Sequence, residues 1–422
     1  MFYFLFLFLG LSLHYHDRKF RDIYSLSYLI LSFWGVGAAA SYYVSYGQTF
    51  GPYFDDTFYF DNINTIFEGS IKPNSTIYEL VVGIIYLPFS LLVNISHLDL
   101  LPFNWFIGSL VVVQAMKLAE RFYPIKNNDW AIGAFLLIVA NSNFINGIVH
   151  LYRDGLMAFF LLLCLKNATD RKYFYAICFA ILTGLIRGAN GALAFLYIIL
   201  MYIPSRMPKL SKSQIGLFIT CFLFIAILGD GVIGYSNYLR SFRGADNSEN
   251  ISMSKQLSRR YDNLEEDAVG GVGEMLTSNN PILMAAALPI TMISPIKVKP
   301  FISTEKTSVW GWINRFRIES LWEIGNLLLW SFCFYPLILG IRFMLKDTNM
   351  KHFGAIVFYL ISLIAISYVS MQLRHKIGYI VLFPMLFNAY YTHKKKFSKT
   401  NARLLKGCIF AVLLLYNVID KF

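Results

Sequence analysis

Apolar runs close to 20 residues long recur from one end of this sequence to the other. A bilayer's hydrocarbon core is about 30 Å thick, and a helix needs roughly 20 apolar residues to cross it. The runs therefore predict membrane-spanning helices, expected near 2–14, 24–46, 77–95, 103–119, 130–149, 155–166, 173–187, 189–203, 214–234, 320–345, 353–371, 377–392 and 405–418. Charged residues make up 15% of the chain, against about 25% in average soluble domains. The run from Phe2 to Leu13 has neither a basic leading segment nor a small-residue cleavage site, so it reads as a membrane helix and not a signal peptide. The expected fold class is all-α: a single integral-membrane domain over 1–422, polytopic, with about 12–13 transmembrane or re-entrant helices. One large external loop, 235–318, is inserted within it.

The formal charge of +12 fits Lys and Arg kept on the cytoplasmic side of a membrane. It does not suit nucleic-acid binding, which needs a soluble basic face. The five cysteines all fall within apolar runs, so neither a disulfide framework nor a metal motif is expected. There is no Gly-rich phosphate loop, no H-E-x-x-H and no G-x-S-x-G elbow, which removes the commonest nucleotide, zinc-protease and hydrolase readings.

The basic segments HDRKFRD, NATDRK, PSRMPKLSK and THKKKFSK set the sidedness. With these inside, the long polar segment, LYRDG at 151–155, Arg187 and the triplet Arg374, His375 and Lys376 all lie outside. The N-terminal third closes only if one of the runs 77–95 and 103–119 is re-entrant.

The outer side thus collects the groups able to do chemistry. Candidate acids and bases are Asp55, Asp56, Asp154, Glu323 and His375. Candidate cations are Arg153, Arg187, Arg259, Arg260, Arg374 and Lys376. Arginine suits phosphate because its planar guanidinium donates in pairs and stays charged, and a carboxylate or His beside it can deprotonate a hydroxyl. Each group also has a plainer reading. Arg187, inside an apolar run of about 30 residues, could be a structural ion pair or a headgroup anchor. Asp154 could cap the next helix. Asp55 and Asp56 could be solvated loop residues among interfacial aromatics, SRRYDNLEED an ordinary mixed-charge surface, and the triplet a headgroup collar.

Several of these elements together resemble the integral-membrane O-antigen polymerases and related oligosaccharide repeat-unit polymerases. They are the external RDG at 153–155, the arginine of LIRGANGALAF, the large late loop, and Arg374, His375 and Lys376 followed by Pro384. The resemblance covers most of the chain. A family pattern of two R-x10-G stretches in two external loops occurs here in one loop alone, as Arg259 to Gly270 and Arg260 to Gly271. The resemblance implies a metal-independent, cofactor-free glycosyltransferase of the C-type membrane superfamily, in the bacterial inner membrane. It would transfer a growing glycan from undecaprenyl pyrophosphate to a new lipid-linked repeat unit. Arginines would hold the pyrophosphates, and an external carboxylate or His would act as base. The implied partners are the lipid-linked oligosaccharide, membrane lipids and a chain-length regulator protein.

Three other readings stand beside it. The acidic FDDTFYFDNINTIFEG followed by YELVVGIIY resembles the first loop of transferases that use polyprenyl-monophosphate sugars, with Asp55 or Asp56 as base. An O-antigen ligase would differ in its acceptor alone. A lipid-linked oligosaccharide flippase would need charges along a central path and symmetry between halves.

Overall fold

The computed structural model describes residues 1–50, 54–72, 75–124, 128–206, 292, 298–307, 311–369, 376–393 and 399–419. It is mostly helical. The helices are α1 (Phe2–Leu13), α2 (Arg18–Tyr46), α3 (Phe54–Phe67), α4 (Ile77–Ser90), α5 (His97–Phe122), α6 (Asn128–Val139), α7 (Ser142–Val149), α8 (Asp154–Thr169), α9 (Tyr173–Ile186) and α10 (Gly188–Arg206). A hairpin of β1 (Ile302–Thr307) and β2 (Gly311–Phe316) follows, and then α11 (Glu319–Lys346), α12 (Met350–Val369), α13 (Ile377–Ile380), α14 (Phe383–His393) and α15 (Lys399–Ile419). The expected span 214–234 and most of the loop 235–318 lie outside the described residues.

Among the described residues three helices, α2, α5 and α11, are long and apolar enough to cross a membrane, and the pair α6–α7 counts as a fourth if taken as one span. That pair is bent by 58°. The bend falls at Asn141, whose side chain accepts from the backbone N–H groups of Asn143 and Phe144 at 3.0 and 3.4 Å. It thereby satisfies donors that the break would otherwise leave bare inside a packed bundle. α5 is the central helix, with 89% of its apolar window buried. Elsewhere small residues let helices meet closely. A Cβ added to Gly340 of α11 would stand 2.0 Å from the Leu386 carbonyl of α14, and one on Gly191 of α10 would stand 2.4 Å from Gly184 Cα of α9.

The bundle has two chemically distinct ends. At one end Lys19 pairs with Glu120, Arg121 with Asp170 at 3.5 Å, and Tyr123 donates to Asp347 at 2.9 Å. HDRKFRD, NATDRK and the loop after α11 meet here. The hairpin, the start of α11 and the α7–α8 and α9–α10 connections gather at the other end.

The stretch 47–76, read from sequence as a loop, contains helix α3, which packs against α4. Tyr59 meets Tyr78 edge-on, and Asn62 donates to the buried Glu79 at 3.1 Å. α4 bonds the first turns of α5 through Tyr78 to Asn104 and through Tyr86 to the Asp99 carbonyl, at 2.9 and 2.8 Å. It therefore starts and ends near the same end of the bundle, while α5 runs the full distance. Of the two runs 77–95 and 103–119, the first forms the 14-residue helix α4 and the second lies within the 26-residue α5.

Candidate functional site

A cavity of about 260 Å³ lies at the end opposite the basic loops. Its charged lining is Lys299, Arg315, Arg317, Glu319 and Glu323, and His150 joins them. Residues two apart on a strand share a face, and this places Arg315 of β2 beside Arg317, just past the strand end. Residues four apart share a helix face, and this aligns Glu319 and Glu323 on the opening turns of α11. Carboxylates there also suit the positive end of the helix dipole. The hairpin is held on α2 by Ser41, which donates to the Phe316 carbonyl, and by Ser45, which accepts from Phe316 N at 3.2 Å.

The two arginines are engaged differently. Arg315 is buried and paired with Glu319. The Tyr42 hydroxyl closes that pair, accepting from Arg315 at 3.2 Å and donating to Glu319 at 3.2 Å. Arg317 stands 4.0 Å from Glu323, beyond hydrogen-bond reach. The other Glu323 oxygen accepts from the Lys299 backbone N–H at 2.7 Å. Glu323 thus holds the segment that carries Lys299 and sets the local field around Arg317, which lines the cavity.

His150 ends the short helix α7 and lines the same cavity. Its Nδ1 lies 3.1 Å from Asp56 Oδ2, and the second Asp56 oxygen accepts from Leu151 N–H at 2.7 Å. The imidazole sits between the rings of Tyr42 and Tyr152, at 5.7 and 5.2 Å. His97 Nε2 approaches Asp56 to 3.9 Å from the other side. Burial works to raise the Asp56 pKa, but His150, by charge and hydrogen bond, with His97 behind it, outweighs burial and holds the carboxyl well below the usual carboxylate range. A carboxylate on Nδ1–H fixes the imidazole tautomer and turns Nε2 into the basic nitrogen.

A second charged cluster stands one step along the chain. Arg187, in the extended break between α9 and α10, reaches Asp154 on the first turn of α8 at 2.9 Å. Asp154 is almost wholly buried. Arg153 precedes it, and its buried Nε has no hydrogen-bond partner among the described residues. Lys376, at the N-terminus of α13, is buried, and burial pulls its ammonium down to about 7.

Of the residues expected from sequence, Glu323 lines the cavity and Asp56 backs its histidine. Arg187 and Asp154 are partners, with Arg153 adjacent. Lys376 is buried at the foot of α13 and does not line the cavity. Asp55 falls on the first turn of α3, and its side chain lies outside the described set, as do Arg259, Arg260, Arg374 and His375. Sequence reasoning did not single out His150, Lys299, Arg315 or Arg317 as site residues. The signal for the arginines was R-x-R-x-E-x-x-x-E over 315–323, a strand alternation running into a helical repeat. The sequence matches no protein-family model and no curated protein.

An oriented, carboxylate-backed imidazole beside cationic side chains can take a proton from a hydroxyl while holding an anion close by.

Proposed function

We propose that the chain is a multi-pass membrane glycosyltransferase that polymerises undecaprenyl-pyrophosphate-linked oligosaccharide repeat units. It would work on the periplasmic face of the bacterial inner membrane, in surface-polysaccharide synthesis. The membrane part of this reading is supported by the three long apolar helices and by large apolar side chains turned outward, among them Phe4, Phe33, Phe174 and Phe332. A soluble surface rarely exposes so many. The observation that carries the chemistry is the buried Asp56–His150 pair in a cavity that also holds Arg317 and Lys299.

In this reading His150 Nε2 removes the proton from an acceptor sugar hydroxyl. The hydroxyl oxygen forms a bond to the donor's anomeric carbon, and the bond from that carbon to the pyrophosphate oxygen breaks. The electron pair leaves with the pyrophosphate. Arg317 and Lys299 stabilise the charge gathering there, the role in which fixed cations speed a reaction most. Asp56 is a positioning residue and never needs to touch substrate. Its enclosure behind His150 also weighs against a monophosphate-sugar transferase in which Asp56 itself is the base. Arg187, brought to Asp154 by their ion pair, and the neighbouring Arg153 would steady the second lipid pyrophosphate.

The test is complementation of a deletion strain with His150→Ala. Surface glycan resolved on a gel is expected as single-repeat chains, with the variant present in the membrane at normal level. Long chains in that strain would overturn the reading, and a product one sugar longer would point to the monophosphate-sugar enzyme.

A further inference from the structure

A second cavity, of about 510 Å³, lies between α3 and the turn that joins α4 to α5. Its volume is within the range of about 300–1,000 Å³ typical of ligand sites. Its chemistry is the reverse of the first. Phe60 and Phe67 offer aromatic surface, Asn64 and Asn94 offer amides, and Glu68 is the charged group. Among the described residues that line it there is no cation.

Its position ties it to the Asp56–His150 pair. Asp56, Phe60, Asn64 and Phe67 are spaced by four, four and three residues, so they form one stripe along α3. The Phe60 ring meets the His97 ring edge-on at 5.9 Å, and His97 lies 3.9 Å from Asp56. At 1.5 Å per residue the stripe runs about 16 Å away from Asp56. The facing wall is fixed by a capping box at the start of α5, in which Asp99 accepts from Ser96 N and Ser96 Oγ at 3.0 and 2.6 Å. Beside the groove Leu91 and Leu92 are 78% and 82% exposed, an apolar tip suited to the bilayer surface.

We infer that this groove binds the uncharged oligosaccharide of the lipid-linked substrate, with the phosphates held in the cationic cavity. The inference rests on the reading above. A phosphate would meet Glu68 unopposed, whereas amides donate to and accept from hydroxyls, and the phenyl faces suit the C–H face of a sugar ring. The glycan would lie along α3, leading away from the reacting end. A polymerase that grips its chain in this way keeps it between additions, so the groove would govern chain length rather than the chemical step.

The test uses the full chain in detergent and, as probe, phosphate-free oligosaccharides released by mild acid from the host's own surface polysaccharide. Asn64→Ala with Asn94→Ala is expected to weaken their binding by about tenfold, as two lost hydrogen bonds predict. Phe67→Leu, which keeps the apolar volume and removes the ring, should also weaken it. In cells both variants should shorten the commonest chain. Variants that bind the oligosaccharide as wild type does would overturn the inference. So would variants that lose binding to phosphatidylglycerol vesicles and keep the oligosaccharide. His150→Ala separates the two claims: retained oligosaccharide binding with lost polymer supports both, whereas retained binding with normal polymer sinks the catalytic reading and leaves the groove standing.

Discussion

Acids and bases meet at both ends of the bundle, but burial sets the two sets of pairs apart. Arg121 and Asp170, at the basic end, are 55% and 23% exposed, and Lys19 and Glu120 are also open to water. Such pairs contribute about 0–1 kcal/mol, because water already solvates both partners. At the cavity end Arg315 and Glu319 are 3% and 10% exposed, and the side chains of Asp56 and Asp154 are more deeply enclosed than Glu319. Removing such charges from water costs several kcal/mol per ion, and their mutual attraction roughly offsets that loss. Stability does not explain them. Charges kept at that cost inside a membrane-like bundle point to binding or proton transfer, and the cavity lies among them.

Four substitutions set the two ends against each other. The largest effect should follow Asp56→Asn, which keeps the shape but holds the His150 ring in the wrong tautomer. Coupling rate should fall by about 10³–10⁴-fold, with the protein still folded in detergent. Next, Arg187→Ala leaves Asp154 buried without its arginine. Melting of the detergent-solubilised chain should report a loss of about 3–5 kcal/mol, and replacing both residues by leucine should recover most of it. Arg317→Ala should then slow the coupling rate by about 10²–10³-fold. Arg317→Lys should recover part of that loss, since lysine restores the charge but not the two-pronged donor geometry. The smallest effect belongs to the other end: Lys19→Ala should change stability by less than about 1 kcal/mol and leave coupling untouched. A large effect from Lys19→Ala would erase the contrast between the two ends.

The helical, apolar character of the chain was legible because apolar length is a local property. Of the roughly 12–13 expected spans, three helices, or four with the bent pair, are long enough to cross a membrane among the described residues. The expected 24–46 extends back to Arg18 because Asp17 accepts from Phe20 N and caps the helix. Helix α3 was hidden because FDDTFYFDNINTIF mixes polar and aromatic residues without a clear apolar stripe. Its helical form is secured by partners on α4, Tyr78 and Glu79. The bend at Asn141 was missed because 130–149 was taken as one span, although Asn141, Ser142 and Asn143 interrupt its apolar residues. In the site the charged residues were visible, but their pairing was not. Asp154 and Arg187 stand 33 residues apart, and no spacing rule links them. His150 looked like a neighbour of Arg153 and Asp154 until Asp56, 94 residues earlier, placed it. Arg315 and Arg317 were read as part of a long external loop, whereas they end a hairpin docked on α2.

The most direct test of the account is coupling by the purified full chain, given synthetic repeat units on undecaprenyl pyrophosphate and no added metal or nucleotide. Lengthened lipid-linked glycan is expected, with one undecaprenyl pyrophosphate released per unit added. His150→Ala should abolish both signals together. Transfer that proceeds in His150→Ala at the wild-type rate would contradict the account.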